Sequence, residues 1–589
     1  MWPLLHAALQ SSGRSVRRLD MPIAVSRRLP NLGAYVRDVY RLHFSHELAA
    51  GTVKPLILPY SLLGTVVLPI LYFSIPHINR PWLYRARYLL WLFILAFNLH
   101  EVVTSSSANF AIGYAVGLMH AWGILWTATL LIWMSPQFEA ERVERRKRTT
   151  TDGGALVNGT ASRLNLNGNA AREEDSPSQS QRVNARPKAP TATAKHQHAE
   201  AGDRATGARD EDISRSIDQG YEYYWQAYPA AAPFLTRLGW SFDLVTSFRG
   251  TGWNWTVPII PHFAKPEKPL SLAPVDVDSI PLRTRQGYRR FTTRRALARA
   301  QLLPMALGYL ALDLGSVYMM KDPHFILGPE FASAEPLSPL PPLLAALPRP
   351  VLFTYRSVLC FTAIIVAIEL IMTCWRLTCL FLLPRRLLGT RAELWHYPST
   401  YGAFAPNVLD KGLAGFWGGW WHQTFRVAFS APSAWLARRG HMDPRSGGGR
   451  AAAGLIAFAQ SAFLHSLGSV SCLPPSRPWA PPVFFMLAWA GVLAQAAACG
   501  AARPVTARVP APARRAGNLV FVFAWLNATQ CWFCDDMARA GIWLLEPVPV
   551  SFLRALGLGK PGDSWWRWDW AMWPRWYVGR HWWESGIAL

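Results

Sequence analysis

The sequence predicts an all-α, polytopic integral membrane protein with about eight transmembrane helices, and three observations carry that prediction. Hydrophobic residues make up 51% of the chain and charged residues only 16%, too apolar a balance for an ordinary soluble enzyme. Tryptophan occurs 29 times, and Trp and Tyr favour the headgroup layer of a bilayer. Apolar runs of roughly 20 residues, the length that crosses a hydrocarbon core of about 30 Å, recur along the chain. Mean hydropathy is nevertheless only +0.09, because a polar central stretch dilutes them.

Residues 1–55 read as a basic cytosolic or interfacial segment. Its short apolar patch precedes its arginines, the reverse of a secretory signal, so no cleavage is expected. Residues 56–134 hold three early runs: Leu56 to Ile75 with kinks at Pro59 and Pro69, Tyr88 to Glu101 extended toward Leu83, and Ala108 to Met134. Arg85 and Arg87 can snorkel from the second. The Gly and Ala content of the third permits close helix packing. Residues 139–215 contain no Phe, Trp or Tyr and read as a disordered loop, because such a segment buries too little apolar surface to offset ordering entropy.

Residues 216–298, with "YEYYWQAYP" and "SFRGTGWNW", form an aromatic, Gly-punctuated interfacial region. Transmembrane helices return in 299–383, as Leu302 to Met320 and Val351 to Leu383. A Gly/Trp-rich loop follows at 384–450, and 451–589 adds Gly454 to Leu473, Pro482 to Cys499 and Gly517 to Trp532. Ile542 to Leu556 reads as amphipathic or partly inserted, and the end "SWWRWDWAMWPRWYVGRHWW" as an interfacial belt. Basic clusters at Arg14 to Arg41 and Arg142 to Arg148 put the N-terminus and the polar segment in the cytosol. That requires an even number of crossings between them, against three apolar runs, unless Tyr88 to Glu101 is re-entrant or one of the flanks is misread.

The net charge of +24 is spread over short flanks of apolar runs, which suits an anionic membrane surface and not nucleic acid. Cys531-x-x-Cys534 has no second pair, so neither a metal nor a disulfide framework is expected. "GLGKPG" matches G-x-G-x-x-G without a preceding strand, and Asp535-Asp536 has no second acidic motif. No internal repeat supports a transporter. Asn158, Asn254 and Asn527 head glycosylation sequons by pattern only.

Two stretches offer chemistry. "FWGGWWHQTFR", Phe416 to Arg426, gathers five aromatic residues around one histidine. A helix beginning near Trp420 would set His422 and Arg426 on one face, with Trp421 and Phe425 beside them. Trp417, Trp421 and Arg426 are then candidates for substrate binding; an interfacial Trp/Arg anchor with an incidental histidine has the same composition. In "GLIAFAQSAFLHSLGSVSCL" His465 is an ionisable group within an apolar span, costly there and a functional candidate by default. A helix-packing histidine bonded to a carbonyl is the alternative.

Together "FWGGWWHQTFR", "SAFLHSLGS" and the upstream "SFRGTGWNW" resemble, in order, blocks of the membrane-bound O-acyltransferase superfamily, in its fungal wax-synthase-like branch. The resemblance implies His465 as the catalytic histidine and His422 as the second polar residue of the pair. It implies acyl transfer from acyl-CoA, acetyl-CoA by preference, to a lipophilic alcohol such as a terpenoid or related secondary metabolite, in the endoplasmic reticulum and with no tightly bound cofactor. A long-chain wax-ester synthase is the neighbouring reading, and a non-catalytic membrane protein keeping the fold is the reading from another class. Gly419 and Trp420 stand where the branch has two basic residues, and Ala414 and Gly415 where it has Arg-Asp.

Overall fold

Helices carry the architecture, as the apolar runs require. The computed structural model describes residues 30–148, 209–265, 272–331, 340–474 and 476–589. The apolar patch before residue 30, the Asn158 sequon and the middle of the 139–215 segment lie outside these. In chain order the long helices are α1 (Leu32–Ala50), α2 (Pro81–Thr104), α3 (Phe110–Trp133), α4 (Arg294–Met319), α5 (Arg349–Leu382), α6 (Arg426–Arg438), α7 (Gly447–Val470), α8 (Ala480–Ala501) and α9 (Ala511–Thr529). Among the described residues six of them, α2 to α5, α7 and α8, are long and apolar enough to cross a membrane. The protein is a predominantly helical, multi-pass membrane protein.

Three expected spans come out differently. Leu56 to Ile75 yields only the shorter Tyr60–Phe73, which opens as a 3₁₀ turn, passes through a π turn at Leu63–Val67 and restarts as Leu68–Phe73. Pro69 directly follows the π turn within this continuous helix, where its missing N–H interrupts the backbone ladder. Two helices long and apolar enough to cross, α2 and α3, therefore precede Arg142, together with the shorter Tyr60–Phe73. Gly517 to Trp532 becomes α9, whose first turns carry Arg514 and Arg515. Ile542 to Leu556 is no continuous amphipathic helix but a 3₁₀ turn, Ile542–Leu544, and a single turn, Phe552–Ala555, divided by Pro547 and Pro549.

The 139–215 segment is ordered at both ends, contrary to a loop throughout. Strand β1 (Arg142–Lys147) pairs antiparallel with β2 (Tyr221–Gln226), Val143 opposite Trp225. The apolar surface missing from β1 is supplied by the aromatic residues of its partner, with Tyr223 and Trp225 buried alongside Val143. A helix at Glu211–Asp218 is capped by the Asp210 side chain and tied down by ion pairs of Asp212 with Arg294 and Arg385. Residues 384–450 are likewise mostly short helical turns leading into α6.

The core forms around α3, 72% buried along its apolar window where the other spans reach 33% at most. It meets α7 backbone to backbone. A Cβ on Gly117 would lie 1.8 Å from the Leu467 carbonyl oxygen, and one on Gly468 would lie 2.9 Å from the Tyr114 ring. The small residues expected to permit close packing do so here. Ser471 pins the crossing, its hydroxyl accepting from Gly117 N–H at 2.9 Å and donating to the Gly113 carbonyl at 2.7 Å.

Candidate active site

His465 stands one turn before Gly468 on α7, and the α3 contact determines its surroundings. The Tyr114 hydroxyl lies 3.2 Å from His465 Nδ1 and 3.4 Å from the carbonyl oxygen of the same residue. Phe485 of α8 stacks on the imidazole at 5.0 Å and 17°, and Phe533 meets it edge-on at 5.0 Å. The ring is thus fixed on a face, an edge and one nitrogen. Nε2 has no protein partner among the described residues.

The "FWGGWWHQTFR" stretch is not the helix that spacing suggested. Phe416–Trp420 is a π-helical turn, Trp421 is extended (φ −58°, ψ 152°), and α6 starts only at Arg426. His422 and Arg426 therefore do not share a helix face. Hydrogen bonding closes the turn instead. Arg426 Nη1 donates to the Gly418 carbonyl at 2.7 Å and to Gln423 Oε1 at 2.8 Å, while Gln423 Nε2 and the Tyr288 hydroxyl donate to the Trp421 carbonyl at 2.6 and 3.0 Å. Arg426 is spent on holding this loop.

The glycines of the motif make room for Asn407. A Cβ on Gly419 would lie 2.2 Å from Asn407 Oδ1 and one on Gly415 2.1 Å from the Asn407 carbonyl oxygen, whereas Gly418 has open space. An arginine at 419, as the branch has it, would collide with Asn407. The rings turn inward. Trp417 packs on Phe458, Phe484 and Phe485, and thereby on the ring that stacks with His465; Trp421 stacks on Phe416 and borders His422. An anchor lying in the headgroup layer does not describe them.

His422 is linked to His465 through rings, since Trp421 borders it and Trp417 packs on both Trp421 and the Phe485 that stacks on His465. Burial, helped by the Arg249 guanidinium, lowers the pKa of His422 to about 4, so it is neutral at physiological pH. Its Nδ1 is buried without a hydrogen-bond partner among the described residues. Arg249 comes from "SFRGTGWNW", whose Gly250 and Gly252 have positive φ and whose missing side chains leave space for the Trp255 and Trp395 rings. Its guanidinium donates to the Ser399 carbonyl at 3.0 Å and leaves Nε unpartnered; burial lowers its pKa to about 10, still cationic. Trp122 of α3 touches both Phe248 and Phe425, joining this block to the His422 loop.

The structure therefore brings His465, His422, Trp417 and Trp421 together and gives Arg426 a bracing position. Sequence reasoning missed Tyr114, Phe485, Gln423 and Arg249. Arg249 lay within a block already quoted, but Tyr114 and Phe485 carried no signal beyond apolarity.

The polytopic helical body thus holds two histidines among aromatic rings, and comparison with known proteins bears on that region. Residues 397–487, which contain both histidines, match the membrane bound O-acyl transferase family. The chain is similar to the acetyltransferase pyr8 of Aspergillus fumigatus, 26% identical over 56% of this chain and 71% of that protein. It is also similar to the acetyltransferase ple2 of Rhodocybe pseudopiperita, 27% identical over 40% of this chain and 50% of that protein. No solved structure matches. The resemblance to the membrane-bound O-acyltransferase superfamily in its fungal branch thus holds, at low identity.

Proposed function

We propose that the protein transfers an acetyl group from acetyl-CoA to a hydroxyl of a lipophilic acceptor, a terpenoid or related secondary metabolite, in the endoplasmic reticulum membrane. The observation that carries this reading is the histidine pair: His465 held by Tyr114 and Phe485 within a span, with neutral His422 joined to it through the Trp421, Trp417 and Phe485 rings. The names of the two similar proteins support acetyl as the transferred group.

An alcohol is a weak nucleophile at neutral pH, so a base must take its proton as it attacks. His465 removes that proton while the alcohol oxygen bonds to the thioester carbonyl carbon. The carbonyl electron pair moves to oxygen, and a ring N–H of His422 donates to the oxyanion, a contribution of about 3 kcal/mol for one well-placed donor. The oxyanion collapses, the C–S bond breaks, and the thiolate takes the proton from the His465 imidazolium. Trp417, Trp421, Phe485 and Phe533 exclude water, which would otherwise hydrolyse the thioester. Arg426 acts through the turn it braces, and Arg249 is the cation beside His422 that can face the anionic donor, in place of a basic residue at 419.

The test is direct. Purified protein is given acetyl-CoA or a long-chain acyl-CoA with a panel of lipophilic alcohols, and esters are identified by mass spectrometry. Acetyl esters from acetyl-CoA are expected. Esters from long-chain donors alone would replace this reading with wax-ester synthesis, and no ester from any pairing would favour a non-catalytic role.

A further inference from the structure

We infer that Tyr114 is the positioning residue of the site: its hydroxyl accepts Nδ1–H of His465 and donates its own hydrogen to the His465 backbone carbonyl, so that the Nε2 lone pair faces the acceptor. The inference rests on His465 being the base and says how that base is held.

A phenol carries one hydrogen and can accept as well. Here its oxygen lies 3.2 Å from Nδ1 and 3.4 Å from the carbonyl oxygen of one and the same residue. A carbonyl oxygen only accepts, so the contact with it consumes the phenolic hydrogen. What remains toward Nδ1 is a lone pair, and that contact is a hydrogen bond only if Nδ1 brings the hydrogen. The opposite assignment, hydroxyl donating to Nδ1, leaves the carbonyl contact unmade and puts the imidazole hydrogen on Nε2, where it blocks proton abstraction. Only the first uses both contacts.

The helix crossing holds this geometry. Tyr114 precedes Gly117 by one turn, as His465 precedes Gly468. At the first glycine a Cβ would meet the Leu467 carbonyl oxygen, and at the second the Tyr114 ring itself. Tyr114 is buried, 4% exposed, so its hydroxyl has no solvent alternative. Phe485 on the face and Phe533 at the edge prevent the ring from turning away. Tyr114 thus does for this histidine what a buried carboxylate does in a Ser-His-Asp triad, with a neutral oxygen. Loss of that carboxylate costs about 10⁴ in rate. A neutral acceptor contributes less, on the order of tenfold to a hundredfold.

Full-length Tyr114→Phe keeps the ring against α7 and removes only the oxygen. Its kcat is expected to fall about tenfold to a hundredfold while KM for donor and acceptor stays within about twofold. 3-Fluorotyrosine at 114, a weaker acceptor of the same shape, should give an intermediate kcat and also serves if the Phe variant does not accumulate. A second arm needs no turnover: iodoacetamide alkylation of His465, with the Nε2 and Nδ1 products separated by peptide chromatography and mass spectrometry. The wild type should be alkylated on Nε2. Wild-type kcat in Tyr114→Phe, or Nδ1 alkylation in the wild type, overturns the inference. If the wild type transfers no acyl group, the proposed function fails, while the alkylation arm still decides the tautomer.

Discussion

His465 stands on a regular helix that meets α3 backbone to backbone, whereas His422 stands in a non-helical stretch between a π turn and the start of α6. The first position is set by contacts between glycines and main-chain atoms, which cannot give. The second is set by side chains of Arg426, Gln423 and Tyr288 reaching main-chain carbonyls, which can be lost one at a time. Rigid crossing and braced loop therefore divide the labour. The proposed base is held by the part that cannot shift, and the proposed supporting donor by the part that adjusts.

The sharpest way to break that division is at the proposed base. His465→Ala should lower single-turnover acetyl transfer by on the order of a hundredfold or more, the usual scale of general-base catalysis, while the purified protein keeps its abundance and Tm. Wild-type transfer from this variant would move the base elsewhere. Glycine substitutions come next, because they compare the two regions by stability. Gly117→Ala places a methyl 1.8 Å from a carbonyl oxygen that belongs to a packed helix, so overpacking of about 1–3 kcal/mol or more is expected. Gly418→Ala meets nothing within 4 Å and should leave Tm within about a degree, since substitutions free of such contacts cost little. Thermal melts in detergent read both, and equal losses would mean that the crossing is not the rigid member.

The same contrast governs what the sequence disclosed. His465 stood out because an ionisable residue in an apolar run is conspicuous, and α7 followed from the length of that run. The long spans α3, α5, α7 and α8 were legible by length and composition. The His422 loop was not, since glycines that free the backbone do not say which way it goes, and a helix from Trp420 was the natural reading. What decided otherwise was distant in sequence: Asn407 filling the space beside Gly419, and Tyr288 taking the Trp421 carbonyl. β1 was hidden for a related reason, its apolar complement lying in β2. Tyr114 had no periodic or compositional mark at all, because its role depends on where two helices cross.

The smallest expected effect sharpens the loop side of the comparison. His422→Asn keeps a hydrogen-bond donor, so kcat should fall only several-fold, roughly three- to tenfold, less than the loss of a whole oxyanion donor. Burial lowers the His422 pKa from 6.5 to about 4, so the residue is neutral throughout pH 5.5–9 and contributes no limb to the rate profile there. The variant's profile should accordingly keep the wild-type shape at reduced height. Stability gives the complementary signature. A histidine whose folded pKa lies below its unfolded value leaves stability untouched above pH 6.5 and erodes it as pH falls toward 4, because the unfolded chain takes up a proton that the folded chain refuses. The Tm drop between pH 7 and pH 5 should therefore be smaller in His422→Asn than in the wild type. It should not vanish, because burial also depresses His77 to about 4 and His396 to about 3. A rate profile whose limb moves in His422→Asn would make this loop histidine, and not the one on the rigid helix, the group that titrates in turnover.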